Sequence, residues 1–197
     1  DPKESGEIFL SEQPIKIKRP SDAVRAGIGL VPEDRKHDGL LLPQPIRVNT
    51  TLNTMPRHAN RFGWIDSAAE ATTTGSFCDQ LNVRRDSIEQ KIGELSGGNQ
   101  QKVVIARWLA RNCDVLLFDE PTRGIDVAAK DTIYQLLREL ATAGKAIVVV
   151  SSELVELMSL CDRILVMSQG RIAGEFTPEN WSQEQITRAA FSEFLEK

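Results

Sequence analysis

The sequence predicts an α/β fold in which helices flank a mainly parallel β-sheet. Two short runs, Val115–Phe118 and Ala146–Val150, carry an apolar side chain at every position, as strands buried on both faces do. A stretch with helical periodicity precedes each run, so helices and strands alternate along the chain. A length of 197 residues is enough for one domain with a substantial core.

Composition and charge exclude several classes of protein. Apolar residues at 41% and charged residues at 26% are ordinary for a globular domain. The net charge of −4 provides no basic footprint, so we expect no nucleic acid among the partners. The sequence shows no leader peptide and no apolar run of about 18 residues, so we expect a chain that neither spans a membrane nor is exported.

The cysteines favour a reducing compartment. Cys78, Cys113 and Cys161 are odd in number and show no Cys-x-x-Cys spacing, so we expect free thiols. Packing in the core is a better expectation for these side chains than chemical reactivity.

The first thirty residues predict small elements at the edge of the sheet. Gly6–Leu10 and Ile15–Ile17 alternate apolar and polar residues and favour an antiparallel hairpin. Ser21 is a suitable N-cap for a short helix, and Gly27 suits the position just after its end. Gly29–Val31 predicts a buried strand that stops at the following proline.

Residues 44–94 are less regular. Ser67 and Glu70 have the spacing of a capping box and predict the start of a helix there. The run Thr72–Gly75 has weak helix propensity, so we expect a bend or an early stop. Trp64 suits either the core or a docking surface, and the sequence leaves both alternatives open.

A serine and two glycines open the next predicted helix, over residues 97–111. Ser96 is a candidate N-cap, and Gly97 and Gly98 keep side chains away, so that main-chain N–H groups can face an anion. An apolar stripe at i, i+4 spacing predicts that the helix packs on the sheet. The stripe consists of Val104, Ile105, Trp108 and Leu109.

The predicted strand Val115–Phe118 ends in two adjacent carboxylates, Asp119 and Glu120. Parallel α/β sheets bind ligands at the carboxyl ends of their strands. The two acids and the preceding helix start are therefore two candidate phosphate-handling devices on neighbouring elements.

The last third of the chain predicts further alternation. Asp126 is a candidate cap for a helix that ends at Gly144 and carries one apolar face, made of Ile133, Leu136, Leu137 and Leu140. Ala146–Val150 is expected to be a central strand. The remaining predicted elements are a helix over Glu153–Leu160, a hairpin of Arg163–Met167 and Arg171–Phe176, and an amphipathic helix over Trp181–Lys197 with Ile186, Ala190, Phe191 and Leu195 inward.

Together these motifs resemble the ATPase domains of ABC transporters. Leu95–Gln101 is similar to the family's signature motif, with Asn99 where most members have Gln, and Val115–Glu120 is similar to the Walker B strand with its catalytic glutamate. Gly124–Asp126 resembles the D-loop. The run Glu33–Leu40 resembles the second ATPase domain of fused importers for ribose, galactose, xylose or arabinose, although a solvated charged turn is the alternative.

The resemblance implies a P-loop NTPase-like domain, organised as a single partial nucleotide-binding domain. It implies four parts. Residues 1–33 would form an edge hairpin, a strand and the Q-loop position, and residues 34–94 a helical subdomain. Residues 95–178 would form the core from the signature helix to the switch region, and residues 179–197 a C-terminal helix.

The resemblance also implies roles for the acids and the signature residues. Asp119 would hold Mg²⁺ through water, and Glu120 would be the general base that polarises the attacking water. Ser96, Gly97 and Gly98, with Asn99 behind them, would act in trans on the γ-phosphate of ATP bound by a partner ATPase domain. Asp126 would meet that facing domain, besides its alternative role as a helix cap.

Three departures from the family pattern predict an own site that is slow or silent. Glu33 stands where the family has the Q-loop glutamine, and Ser152 stands where it has the switch histidine. A glutamate adds like charge near the γ-phosphate, and a serine cannot be a cationic donor. The sequence also contains no Gly-x-x-x-x-Gly-Lys-Ser/Thr run. We therefore expect a domain cut off after its phosphate loop, with its signature motif completing the partner's site.

The leading interpretation is the ATPase subunit of a sugar importer, with ATP and Mg²⁺ as ligands. It implies transmembrane permease subunits as partners, a periplasmic sugar-binding protein as an indirect one, and a peripheral location on the cytoplasmic face of the plasma membrane. One alternative is a nucleotide-gated coupling module that does not hydrolyse ATP. A chromosome-maintenance or DNA-repair ATPase is a third class, but it requires long heptad arms and a basic face, which the sequence lacks.

Overall fold

The computed structural model describes residues 5–192, with the side chain of Ala128 left out. The chain forms two compact units, one ending at Val148 and the other beginning at Val149. The strands are β1 (Ile8–Leu10), β2 (Gln13–Ile15), β3 (Ile28–Val31), β4 (Val115–Asp119), β5 (Ala146–Val150), β6 (Ile164–Ser168) and β7 (Arg171–Phe176). The helices are α1 (Pro20–Arg25), α2 (Ile46–Thr51), α3 (Met55–His58), α4 (Ser67–Gln80), α5 (Gly97–Ala110), α6 (Val127–Thr142), α7 (Leu154–Leu160) and α8 (Gln183–Ala190).

A sheet with the strand order β3-β4-β5 forms the centre of the first unit. Strands β3 and β4 are parallel, with Ile28 opposite Val115 and Val31 opposite Phe118. Helices flank this sheet, so the predicted α/β class is confirmed. The central place expected for Ala146–Val150 is wrong for the described sheet, because β5 is its outermost strand and Val150 is 58% exposed. A short apolar run cannot by itself distinguish a central strand from an edge strand.

Helix α5 packs on the sheet through the predicted face. Val104 and Ile105 are fully buried, and the indole ring of Trp108 lies against the backbone of β3 at Gly29. A Cβ atom at Gly29 would lie 2.9 Å from that ring, so only glycine admits the indole there. In α6 the whole predicted apolar face is buried, namely Ile133, Leu136, Leu137 and Leu140.

A buried guanidinium connects α5 to α2. Arg107 is only 6% exposed and donates hydrogen bonds to the main-chain oxygens of Gly39 (2.6 Å) and Asn49 (2.7 Å) and to Asn49 Oδ1 (3.1 Å). Burial lowers the pKa of Arg107 to about 10. The sequence places Arg107 off the apolar stripe, but it is buried because these three oxygens satisfy its donors.

Helix α4 begins at Ser67, as predicted, but the predicted capping box and early stop are wrong. Its N-cap is Asp66, whose carboxylate accepts from the N–H groups of Ala68 and Ala69 (3.0 Å each), whereas Glu70 turns inward to Arg47 and Thr51. Asp66, one residue before Ser67, is the cap because its short side chain reaches both N–H groups.

The bend or early stop expected over Thr72–Gly75 does not occur, since α4 continues to Gln80. The hydroxyls of Thr72 and Thr73 donate to the carbonyls of Ala68 and Ala69 four residues earlier, so these polar side chains are satisfied within the helix.

The first elements differ slightly from the prediction. Strands β1 and β2 pair antiparallel with each other as a separate two-stranded sheet, with Ile8 opposite Ile15. Helix α1 begins at Pro20 with Arg19 as N-cap, so Ser21 is not the cap. Proline is favoured in the first turn because it lacks the N–H group that would be unpaired there. Gly27 has φ +80°, as its predicted position after the helix requires.

The second unit consists of α7, the antiparallel hairpin β6–β7, and α8. Its core is Ile164, Val166 and Ile186, with Ala190 packed against them as predicted. Phe191 is 53% exposed, so its predicted inward position is wrong, because α8 ends at Ala190 and the chain leaves the inward stripe there. Leu195 lies outside the described residues. Over residues 5–192, no helix is both long enough and apolar enough to cross a bilayer.

Candidate functional site

The parallel pairing of β3 and β4 brings three carboxylates to one edge of the sheet. Val31 is opposite Phe118, so the residues that follow each strand leave the sheet at the same carboxyl edge. Asp119 ends β4, Glu120 follows it directly, and Glu33 comes two residues after Val31. The structure therefore brings together the predicted metal, base and Q-loop positions, where α/β sheets bind ligands.

Glu120 has a strained backbone. Its φ is +46°, in the left-handed region that residues with a Cβ rarely occupy. The carbonyl of Glu120 accepts a hydrogen bond from Arg123 N–H at 3.1 Å, which closes a turn directly after β4. This conformation costs roughly 1 kcal/mol, and such outliers cluster at functional sites. The sequence gives no signal of it.

Ser96 occupies the N-cap position of α5, but its hydroxyl does not cap the helix. Instead, the hydroxyl oxygen accepts a hydrogen bond from the side-chain amide of Asn99 at 3.0 Å. Asn99 Oδ1 in turn accepts from the N–H of Arg84 at 2.9 Å. The candidate side-chain capping role is therefore wrong. Because a hydroxyl can accept a hydrogen bond through its oxygen while its O–H donates another, the Ser96 proton remains able to point toward a ligand.

Both glycines of the motif lie in close contact with neighbouring side chains. A Cβ at Gly97 would lie 2.6 Å from Nη2 of Arg35, and one at Gly98 would lie 3.0 Å from the Cβ of Ala129. The first N–H groups of α5 have no partner within the helix, as at every helix start. The glycines therefore allow the N-terminus of α5 to pack closely against its neighbours. This role is additional to the predicted one of keeping side chains away from an anion.

Arg35 lies next to the N-terminus of α5, in a π-helical turn over Arg35–Gly39. It is 8% exposed and donates to the carbonyl of Arg123 at 2.9 Å and to that of Gly124 at 3.3 Å. Burial lowers the pKa of this guanidinium, although the negative charge of Asp34 partly opposes the shift. The alternative interpretation of Glu33–Leu40 as a solvated charged turn does not hold for Arg35.

The side chain of Glu33 forms an ion pair with the side chain of Arg123. Both are substantially exposed, at 42% and 66%, so the pair adds little stability. It nevertheless compensates the negative charge that the sequence places at the Q-loop position. The sequence alone could not pair two residues that are ninety positions apart.

Asp126 caps α6, since its carboxylate accepts from the N–H of Ala129 at 3.0 Å. The predicted structural role is thus confirmed, and its contact with a facing domain stays a prediction. Gly124, two residues earlier, has φ +66°, a conformation that favours glycine. Ser152 belongs to the second unit, at an exposed position between β5 and α7.

The residues fit Mg²⁺ only as part of a nucleotide complex. Among residues 5–192 no group of three or more His, Cys, Asp or Glu side chains is arranged to hold a metal. Mg²⁺ is commonly bound by one or two carboxylates together with substrate phosphates and water, so the single carboxylate of Asp119 is sufficient on the protein side. The phosphate cradle that would complete such a site is not encoded in these 197 residues.

Known proteins resemble this chain in sequence over nearly its whole length. The ribose import ATP-binding protein RbsA 3 of Rhizobium meliloti is 50% identical over 186 residues, which are 94% of this chain and 37% of that protein. A putative ribose/galactose/methyl galactoside import ATP-binding protein of Burkholderia lata is 49% identical over 190 residues, 96% of this chain and 37% of the relative. The chain thus spans little more than a third of the length of these relatives.

Solved structures share the fold. A nucleotide-free ATP-binding cassette from an ABC transporter superposes with a TM-score of 0.75 at 20% identity, covering 95% of this chain and 74% of that one. A dimeric cassette in a post-hydrolysis state with ADP and Pi gives 0.73 at 23% identity, covering 92% and 77%. Residues 1–123 match the ABC transporter family. The chain belongs to the ABC transporter family.

Proposed function

We propose that the chain is an ATPase domain of a simple-sugar importer, and that its signature segment acts on ATP bound by a partner ATPase domain. The observation that carries this proposal is the N-terminal end of α5. There Asn99 donates a hydrogen bond to the Ser96 hydroxyl oxygen, and the first two helical positions, Gly97 and Gly98, carry no side chain. A helix N-terminus with its positive dipole end suits a triphosphate.

The chemistry follows from where charge develops. Phosphoryl transfer spreads negative charge over the γ-phosphate oxygens, and preorganised donors stabilise it. The Ser96 hydroxyl and the N–H groups of α5 supply such donors, and losing one commonly costs roughly 3–4 kcal/mol, or about a hundred- to a thousandfold in rate.

The carboxylates suggest a second, weaker site on this chain. Asp119 would hold Mg²⁺, which would supply positive charge against the negative charge of the phosphates. Glu120 would accept a proton from water. We propose that this site hydrolyses ATP slowly or not at all, because Glu33 is engaged by Arg123 and Ser152 stands at the switch position. The given sequence contains no phosphate loop, and it matches 37% of the length of the relative from Rhizobium meliloti.

The wider assembly is likewise proposed from the relatives. Their names describe ribose or galactose import, so the partners would be permease subunits and, indirectly, a periplasmic sugar-binding protein. The ATPase would sit peripherally on the cytoplasmic face of the plasma membrane.

Substitution of one residue from each candidate site tests the proposal in the complete transporter ATPase. Ser96→Arg should reduce hydrolysis at least a hundredfold, because the larger cation fills the phosphate position, whereas Glu120→Gln should have a much smaller effect. Ser76→Arg, at an exposed position on α4, is the matched control and should keep full activity. Full hydrolysis with Ser96→Arg, together with its loss in Glu120→Gln, would reverse the assignment.

A second candidate function is a nucleotide-gated coupling module without hydrolysis. The engagement of Glu33 by Arg123 favours it, since a paired carboxylate no longer orients a water freely. ATP-dependent association of the complete protein with its permease, unchanged when ATP is replaced by a non-hydrolysable analogue and accompanied by no phosphate release, would support this function over the first.

A further inference from the structure

The guanidinium of Arg35 joins two segments that both belong to the proposed partner-facing surface. It donates from Nη1 to the carbonyl of Arg123 (2.9 Å) and from Nη2 to that of Gly124 (3.3 Å). These carbonyls belong to the turn between β4 and α6, 88 and 89 residues away along the chain. Arg35 is therefore a long-range tie to the loop that leads to Asp126.

The same guanidinium touches the signature segment. Nη2 is so close to Gly97 that a Cβ there would lie 2.6 Å away, and the Gly124 carbonyl would lie 3.4 Å from that Cβ. The Arg35 side chain thus fills the space between the start of α5 and the loop before α6. Gly97 is the residue type that permits this position.

We propose that Arg35 is a positioning residue, which fixes the start of α5 and the 123–126 loop at one separation so that Ser96 and Asp126 meet a partner domain together. This inference rests on the proposed function, because it concerns the same signature surface. The ion pair of Glu33 with Arg123 is a second tie between the segment that carries Arg35 and the 123–126 loop. Glu33 and Arg35 thus link the Q-loop position to the loop after Glu120.

Charge adds to geometry at this point. Arg35 is a buried residue, and both described hydrogen bonds of its guanidinium go to main-chain carbonyls. A cation held next to a helix N-terminus adds to the positive end of the helix dipole and favours an anion there. Arginine is suited to this role because its planar fork reaches two carbonyls at once, whereas lysine offers a single point of charge.

Steady-state kinetics of the complete transporter ATPase test the proposal. We expect Arg35→Met to lower kcat for MgATP at least tenfold, since displacement of a positioning group by about 1 Å can cost a hundredfold. Arg35→Lys should recover only a minor part of the loss. Arg25→Met, at an exposed arginine on α1, is the matched control and should leave kcat and KM unchanged.

Two outcomes would overturn the positioning role of Arg35 alone, and a third would overturn the proposed function. If Arg35→Met lowers only the melting temperature while kcat and KM stay within twofold of wild type, Arg35 has a purely structural role. If Ser96→Arg abolishes hydrolysis while both Arg35 variants keep it, the proposed function stands and the positioning role fails. If Ser96→Arg also keeps hydrolysis, the proposed function itself fails.

A double substitution covers the case in which Arg35→Met does not fold. Gly97→Ala should displace the guanidinium, so adding Arg35→Lys to it should cost less than twofold further in kcat. Arg35→Lys alone should cost at least fivefold. Independent effects, whose fold-changes multiply in the double variant, would contradict a role of Arg35 exerted through Gly97.

Discussion

The side-chain amide of Asn99 donates a hydrogen bond to the hydroxyl oxygen of Ser96 over 3.0 Å. The other end of the same amide accepts from the main-chain N–H of Arg84, so one side chain fixes the signature serine to the segment between α4 and α5. The serine hydroxyl is thereby oriented before any ligand arrives. Such preorganisation matters because the cost of ordering the donor is met during folding.

Asn99→Leu should lower the ATPase activity of the complete protein about thirtyfold, because it removes two hydrogen bonds of roughly 1 kcal/mol each, one to the Ser96 hydroxyl and one that anchors the amide to Arg84. The measurement is kcat/KM for MgATP. Gln135→Leu removes an exposed amide from α6, where it donates a hydrogen bond to exposed Glu139, and should leave kcat/KM unchanged. Equal activities for the two variants would show that Asn99 does not orient Ser96.

Glu70 and Glu89 bind the same arginine from different environments, which allows a matched comparison. The Glu70 side chain is 2% exposed and also accepts from Thr51, whereas that of Glu89 is 56% exposed. Glu70→Ala should cost about 3 kcal/mol of unfolding free energy, because Arg47 and Thr51 lose a buried acceptor. Glu89→Ala should cost less than about 1 kcal/mol. Urea denaturation measures both values, and similar losses would contradict the role of burial.

The positive φ of Glu120 predicts a difference between two variants that both lack the carboxylate. Glu120→Gly should be more stable than Glu120→Ala by about 1 kcal/mol, because only the alanine Cβ opposes the left-handed conformation. The comparison cancels whatever the glutamate side chain itself contributes. Denaturation midpoints at constant m-value decide the result. An alanine variant as stable as the glycine variant would mean that position 120 is not strained.

The three thiols predict a loss of stability at alkaline pH. Burial raises the pKa of Cys78, Cys113 and Cys161 above the ordinary value of 9.0, so the folded protein holds these protons to higher pH than the unfolded chain does. The unfolded chain therefore binds fewer protons near pH 9. Stability is full below the ordinary thiol pKa and is lost as pH rises toward the folded values.

Unfolding free energy measured between about pH 7.5 and 9.5 tests this sign. Cys78→Ala should flatten the decline with pH, apart from any constant loss caused by the smaller side chain. The lowered pKa of Arg107 acts in the opposite direction, but only from about pH 10 upward, above the measured range. A profile that rises over this range would contradict the prediction.

Local signals in the sequence predicted the elements that build the site. The apolar run before Asp119 became β4, the i, i+4 stripe became the buried face of α5, and Asp126 became the cap of α6. Each of these signals depends only on residues within a few positions. This is why they survive without knowledge of the tertiary structure.

The remainder depends on partners far apart along the chain. No local pattern indicates that Arg35 would reach Gly124, that Arg107 would reach Asn49, or that Glu70 would prefer Arg47 to its own helix start. In each case a charged side chain leaves solvent because a distant acceptor or ion partner satisfies it. The twist of Glu120 into the left-handed region likewise reflects the turn that follows β4.

Gly98 and Ala129 are packed so closely that the starts of α5 and α6 cannot approach each other further. Interiors packed this closely transmit a displacement and do not absorb it. Any molecule that displaces the first turn of α5 therefore also displaces the first turn of α6, so the two helix starts move together.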